Sequence, residues 1–103
     1  MAERTMMEIL RESCPEVAEA TTGLFAAIVK QPALPEKVKQ LIYLAVCAAV
    51  HHDRGVTAHA ERARRLGATR EEVLEAILLT IPAAGLAGAA RNLPPAMALF
   101  DAS

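Results

Sequence analysis

The stretch "EKVKQLIYLAVCAAVHHDRGVTAHAERARRLGAT", residues 36–69, decides the fold. Its first half is apolar on nearly every side, which indicates a helix at the centre of the molecule. Polar residues begin at His51, Asp53 is a suitable cap for a further helix, and Gly67 suits a left-handed helix end. We therefore predict two helices that form an antiparallel hairpin around residues 51–55.

Helical patterns bounded by prolines occupy the chain before this hairpin. An amphipathic pattern over residues 2–14 ends before Pro15, which suits the first turn of a second helix that continues towards Pro32. After the hairpin, Thr69 and Glu72 have the spacing of a capping box. They predict a fifth helix that starts at Arg70, runs through Leu78 and continues until Pro82 stops or kinks it.

The final segment, "AAGLAGAARNLPPAMALF" at residues 83–100, predicts a pair of closely packed helices after a stop or kink at Pro82. We expect the pair to divide near "NLPP", so that Pro94 and Pro95 open the last helix. The fold class is therefore all-α, a compact bundle of about six helices in one domain over residues 1–103.

The composition and net charge of the chain indicate which classes of binding partner to expect. The chain has 53% hydrophobic and only 3% aromatic residues, and its 11 basic and 12 acidic residues give a net charge of −1. No overall field attracts nucleic acid or an anionic membrane, so neither is an expected partner. The start of the chain carries no signal-peptide pattern and no apolar run approaches the roughly 18 residues of a membrane span. We expect a cytoplasmic protein whose Cys14 and Cys47 are free thiols.

All three histidines lie in the hairpin. His59 is a candidate general acid or base, because imidazole titrates near neutral pH, and its alternative is a structural histidine. His51 and His52 precede a helix N-terminus, where free amides can hold a carboxylate, and their alternative is simple solvation.

Other side chains of the hairpin have a functional and a structural interpretation. Cys47 and His51 have the i, i+4 spacing of two metal ligands, but a second close ligand pair is missing, so no metal site is predicted. Cys47 fits inert packing better than reactivity. Tyr43 fits a core ring with a satisfied hydroxyl better than a ligand contact.

One segment is specific enough to suggest a family. "HAERARRLGATREEVLEAI", residues 59–77, resembles the carboxymuconolactone decarboxylase and alkyl hydroperoxidase D-like family, and the resemblance covers roughly residues 34–100. The positions that match the family pattern are His59, Ala63, Gly67, Ala68, Glu72 and Val73.

The resemblance also indicates which chemistry to expect. Peroxide-reducing members resemble E…C-x-x-C-x-x-x-H, and in this chain the two cysteine positions fall on His52 and Gly55 and the glutamate on Gln40. Two-cysteine redox cycling needs a low-pKa thiolate and a resolving thiol, so it is not predicted here. The decarboxylase branch dispenses with the cysteine pair and keeps the histidine, which is closer to this pattern.

The resemblance implies a decarboxylase-like protein that acts on or binds a small anionic organic acid, as a cofactor-free lyase if it is an enzyme. The substrate itself can delocalise the electrons left when carbon dioxide departs, so the protein need only orient the acid and move a proton. The candidate catalytic residues are His59 and His52, and the candidate substrate-binding residues are Gln40, Arg54 and His51.

Two alternatives stay open at this point. The chain is a non-catalytic oligomeric binding or structural module of the same family, or it has a peroxiredoxin-type thiol peroxidase activity that uses Cys47. A homo-oligomer is expected in each case, because the apolar third helix and the Ala- and Gly-rich residues 83–90 offer more apolar surface than a small monomer covers. The resemblance implies a trimer or hexamer.

Overall fold

The computed structural model describes residues 3–101, and the chain over that range is helical without any strand. The all-α prediction is confirmed, and the predicted start of the first helix at Ala2 lies outside the described residues. Six of the seven helices have eight residues or more. The helices are α1 (Met6–Ser13), α2 (Pro15–Val29), α3 (Glu36–Ala49), α4 (Asp53–Arg65), α5 (Arg70–Leu78), α6 (Thr80–Ala84) and α7 (Ala87–Asp101).

The chain divides into two compact units, one ending at Ala33 and the other starting at Leu34. In the first unit, Thr5 caps α1 through its hydroxyl, and Glu8 completes a capping box. Pro15 occupies the first turn of α2, as predicted from its fixed φ and missing N–H. The second unit contains α3 to α7 and therefore the whole hairpin.

The α3–α4 hairpin forms where the sequence predicts it, but its turn is built differently. His51 has a left-handed φ of 62°, and the amide of His52 donates to the carbonyl of Cys47 at 2.8 Å. His52 is the residue before α4, and its side chain makes no capping hydrogen bond. The prediction that Asp53 caps α4 is wrong, because Asp53 is the first helical residue and its carboxylate accepts hydrogen bonds from α7 instead.

The predicted capping box of α5 is confirmed, since Thr69 Oγ1 accepts from the amide of Glu72 and the Glu72 carboxylate accepts from the amide of Thr69. Glu72 also binds Lys37 of α3, with 3.0 Å between Nζ and Oε2. The helix ends at Leu78, whose carbonyl would conflict with the ring of Pro82 four residues later. Pro82 therefore ends α5 one helical turn before its own position in the chain.

The C-terminal pair of helices divides at Gly85 and not near "NLPP", so that prediction is wrong. Gly85 has a φ of 88°, a conformation that only glycine adopts without cost, and it ends α6. Pro94 and Pro95 lie inside α7. Both are exposed, as are the two residues whose carbonyls they leave without a donor, and water can bind those carbonyls.

The core of the second unit lies between α3, α4, α5 and α7. As predicted, α3 is central and packs against α4, α5, α6 and α7. It is not buried on every side, because Ile42 and Val46 on one side of it, and Val50 just after it, are 49%, 55% and 66% exposed. No helix in the described chain is both long and apolar enough to cross a membrane. The largest fully buried side chains of the core are Leu44, Ile77, Val56, Val73 and Asn92.

Candidate functional site

The candidate site is centred on His59 in the middle of α4, where it faces α3. Its Nδ1 lies 2.6 Å from Oε1 of Gln40. A carboxamide oxygen only accepts hydrogen bonds, so in this arrangement Nδ1 carries the proton and donates. The lone pair of the neutral ring is then on Nε2, the nitrogen opposite Gln40. Gln40, named from the sequence as a candidate substrate-binding residue, therefore contacts the His59 ring directly.

Tyr43 is a part of this site that sequence reasoning missed. Its ring stacks on the imidazole of His59, with 3.7 Å between the ring centroids and 20° between the planes. Tyr43 is 49% exposed, so the expectation of a core ring is wrong. Gln40 and Tyr43 are three residues apart on α3 and thus share a helical face, which is the signal that could have revealed the stack.

The environment of His59 favours the neutral imidazole. Its pKa is lowered from the ordinary 6.5, mainly because burial penalises the charged form, and further because Arg62 and His52 carry nearby positive charge. The neutral amide of Gln40 supplies no compensating negative charge. His59 is therefore mostly neutral at neutral pH, and its protonated form is a stronger acid than the imidazolium of a solvent-exposed histidine.

The structure places the other predicted residues at different distances from His59. His52 lies two helical turns before it, at the exposed N-terminal end of α4, and is close enough to affect its pKa. His51 is exposed in the turn and instead helps lower the pKa of Asp53. Arg54 is exposed on the first turn of α4, and the structure shows no contact between Arg54 and the His59 ring. Arg62, which sequence reasoning missed, is close enough to His59 to help lower its pKa.

Cys47 lies on α3 one turn after Tyr43, and it is 4% exposed. Burial raises the pKa of its thiol, which opposes formation of the thiolate. The expectation that Cys47 is a packed and inert residue agrees with both observations. Over residues 3–101 we find no group of three or more His, Cys, Asp or Glu side chains arranged to hold a metal ion.

A polar network below the hairpin turn was also missed by sequence reasoning. Asp53 accepts from Arg91 and, at 3.0 Å, from Nδ2 of Asn92, which donates as well to the carbonyl of Gly88 at 2.8 Å. The hydrogen bond from Asn92 is the largest of several effects that lower the pKa of Asp53. The network ties the start of α4, and so the position of His52, to α7.

The basic segment after His59 is accounted for within the chain. Glu61 accepts hydrogen bonds from Arg64 at 2.8 Å and from Arg65 at 3.1 Å. These bonds, with Arg64 contributing most, lower the pKa of Glu61 to about 2. The segment is a solvated helix face with its own salt bridges.

Comparison with known proteins decides the family. The model of the carboxymuconolactone decarboxylase family matches residues 15–97. The chain belongs to this family. Among its relatives, an uncharacterized protein of Cupriavidus necator is 33% identical over 93 residues, which cover 90% of this chain and 81% of the relative. An uncharacterized protein of Methanocaldococcus jannaschii is 29% identical over 80 residues, covering 78% of this chain and 75% of that relative.

A solved structure supports the same fold. The crystal structure of a Burkholderia xenovorans protein, provisionally described as a carboxymuconolactone decarboxylase, superposes with a TM-score of 0.82. The superposition covers 98% of this chain and 81% of that chain at 24% sequence identity. The all-α fold expected from the resemblance is thereby confirmed, while the family itself is confirmed by the match over residues 15–97.

Proposed function

We propose that this member of the carboxymuconolactone decarboxylase family binds a small organic acid anion beside His59 and acts on it as a cofactor-free lyase. The observation that carries the proposal is the 2.6 Å contact between Nδ1 of His59 and Oε1 of Gln40. That contact fixes the ring so that Nε2 is the nitrogen that exchanges a proton with a ligand.

The proton chemistry fits a decarboxylation. Loss of carbon dioxide leaves an electron pair on the substrate, and a proton must then be added at carbon. The resting ring is neutral, so Nε2 first takes a proton from water, and because burial lowers the pKa of His59 the resulting imidazolium then gives that proton up readily to carbon. His59 is only partly buried, so water can restore that proton after each turnover. In this scheme His52 shares the proton-transfer role.

The charges around His59 support an anionic ligand. Arg62 opposes protonation of His59, because its guanidinium places positive charge near the ring. A carboxylate bound there would gain from the same field. Gln40 orients the imidazole, and the exposed half of Tyr43 offers an apolar surface for the carbon skeleton of the acid.

We also propose that the protein is a homo-oligomer, with a trimer or hexamer implied by the family. Two apolar surfaces support this. In the second unit, Ile42 and Val46 of α3 and Val50 just after it are exposed on one side, and in the first unit Leu24 and Phe25 of α2 are 56% and 55% exposed. Contiguous apolar surface of this kind marks interfaces. Light scattering at micromolar concentration tests the proposal, and a monomer would contradict it.

The function is tested by incubating the protein with carboxymuconolactone and measuring the release of carbon dioxide. We expect turnover by the wild type and its loss in the His59→Ala variant. Glu71→Ala is the control, because Glu71 is an exposed residue of α5 that has no part in the proposed site. Equal rates for wild type and His59→Ala would overturn the catalytic role. Binding of the acid without turnover would favour the binding module.

A further inference from the structure

Gly55, in the first turn of α4, lies where two side chains converge. A methyl group placed on it would lie 2.5 Å from Cδ2 and 3.0 Å from Nε2 of His52, and 2.6 Å from Sγ of Cys47. The first and last of these distances are far shorter than a van der Waals contact. The imidazole of His52 therefore occupies the volume that any larger residue at position 55 would need.

The backbone does not explain this glycine. The glycines with positive φ in the described chain are Gly67 and Gly85, so Gly55 has an ordinary helical conformation that alanine would adopt with better helix propensity. The need for glycine at position 55 is steric. It arises from His52 on one side and Cys47 on the other.

We propose that Gly55 is a positioning residue of the site, because its missing side chain lets the His52 imidazole lie back against the first turn of α4 beside the Cys47 thiol. The proposal rests on the proposed function, in which His52 acts together with His59. Without that space the ring has to leave, since Cys47 is held in the core whereas His52 is exposed and free to rotate into solvent.

A consequence concerns the pair of positions 52 and 55. A ring at position 52 and a side chain at position 55 compete for one volume, so each residue limits the choice at the other. Replacing His52 by alanine frees the volume on its side. Gly55→Ala should therefore disturb the structure less in a His52→Ala background than in the wild type.

Nuclear magnetic resonance of the histidine rings tests the proposal without a substrate. In the wild type we expect nuclear Overhauser contacts from Hδ2 of His52 to the α protons of Gly55. In Gly55→Ala these contacts to residue 55 should be lost while the helical circular dichroism is kept. The matched control is Gly23→Ala, a helical glycine whose added methyl meets nothing within 4 Å, and it should leave the His52 contacts unchanged.

Two further outcomes decide the matter. If Gly55→Ala keeps the His52 contacts, the ring is not displaced and the proposal is wrong. If Gly55→Ala fails to fold, a Cys47→Ala background removes the conflict with the thiol, and adding His52→Ala to that background must then stabilise the Gly55→Ala protein for the proposal to stand. Carboxymuconolactone is added to the wild type as a separate probe. Failure to perturb any histidine resonance would overturn the proposed function, while the ring contacts still decide the role of Gly55.

Discussion

Gly88 of α7 is the glycine at which the structure makes the sharpest prediction for stability. It lies against the C-terminal end of α3, and a methyl group placed on it would overlap the carbonyl oxygen of Ala48. That oxygen also accepts from the amide of His51 at 3.3 Å, within the hairpin turn. Gly88→Ala must therefore push α7 away from α3 or distort the turn.

The size of the effect follows from two opposing contributions. Alanine gains roughly 0.5–1 kcal/mol over glycine in a helix interior. Overpacking costs about 1–3 kcal/mol, and here the upper part of that range applies because a backbone carbonyl cannot rotate away as a flexible side chain can. We expect a net loss of about 1–2 kcal/mol, and a change of this size lowers Tm by roughly 5–15 °C in a domain of this length.

Urea unfolding followed by far-ultraviolet circular dichroism measures this loss. Ala90→Gly is the matched control. Ala90 lies within the same helix and its side chain is exposed to solvent, so this change reports helix propensity alone. We expect both variants to be destabilised, although their propensity changes have opposite signs. A Gly88→Ala protein as stable as the wild type, or more stable, would refute the close approach of α7 to Ala48.

Three further predictions concern His59, Asn92 and the cysteines. The pKa of His59 is lowered from 6.5, so on acidification the unfolded chain binds a proton at this histidine before the folded chain does. The free energy of unfolding of the wild type should therefore decrease as the pH drops below about 6.5, and it should level off below the lowered pKa. The His59→Gln variant should lack this pH dependence in urea unfolding, and an unchanged profile would contradict the lowered pKa. Asn92→Asp should cost about 3–5 kcal/mol in the same assay, because it sets a buried carboxylate against Asp53 and the carbonyl of Gly88, and a small loss would argue against the network. Replacing Cys14 and Cys47 by serine should leave any His59-dependent turnover largely intact, whereas thiol-dependent peroxide reduction that vanishes with Cys47→Ser would contradict this.

The fold was predictable where local chemistry determines the backbone. The apolar run before His51, the capping box from Thr69 to Glu72 and the proline that opens α2 each specify a helix boundary through adjacent residues. The division at Gly85 was missed because the two prolines of α7 look like helix openers until their exposure is known. Exposure of the unsatisfied carbonyls depends on tertiary packing, which sequence periodicity does not contain.

The candidate site was predictable in part for a similar reason. Gln40 and His59 were named from the family pattern, and their contact is present. Tyr43 was assigned to the core because an isolated tyrosine on an apolar helix usually packs inside, and its stacking partner lies sixteen residues away on another helix. Asp53 was expected to cap α4, but it bonds Asn92 of α7, and such long-range partners leave no local signal.

The central claim is that Gln40 holds His59 as a neutral imidazole whose Nε2 exchanges a proton with a bound organic acid. The most direct measurement is a long-range ¹H–¹⁵N spectrum of the His59 ring near neutral pH, recorded before and after addition of carboxymuconolactone. We predict a protonated Nδ1 and an unprotonated Nε2 in the free protein, with the Nε2 resonance moving when the acid is added. A proton on Nε2 in the free protein, or a His59 ring that does not respond to the acid, would contradict the claim.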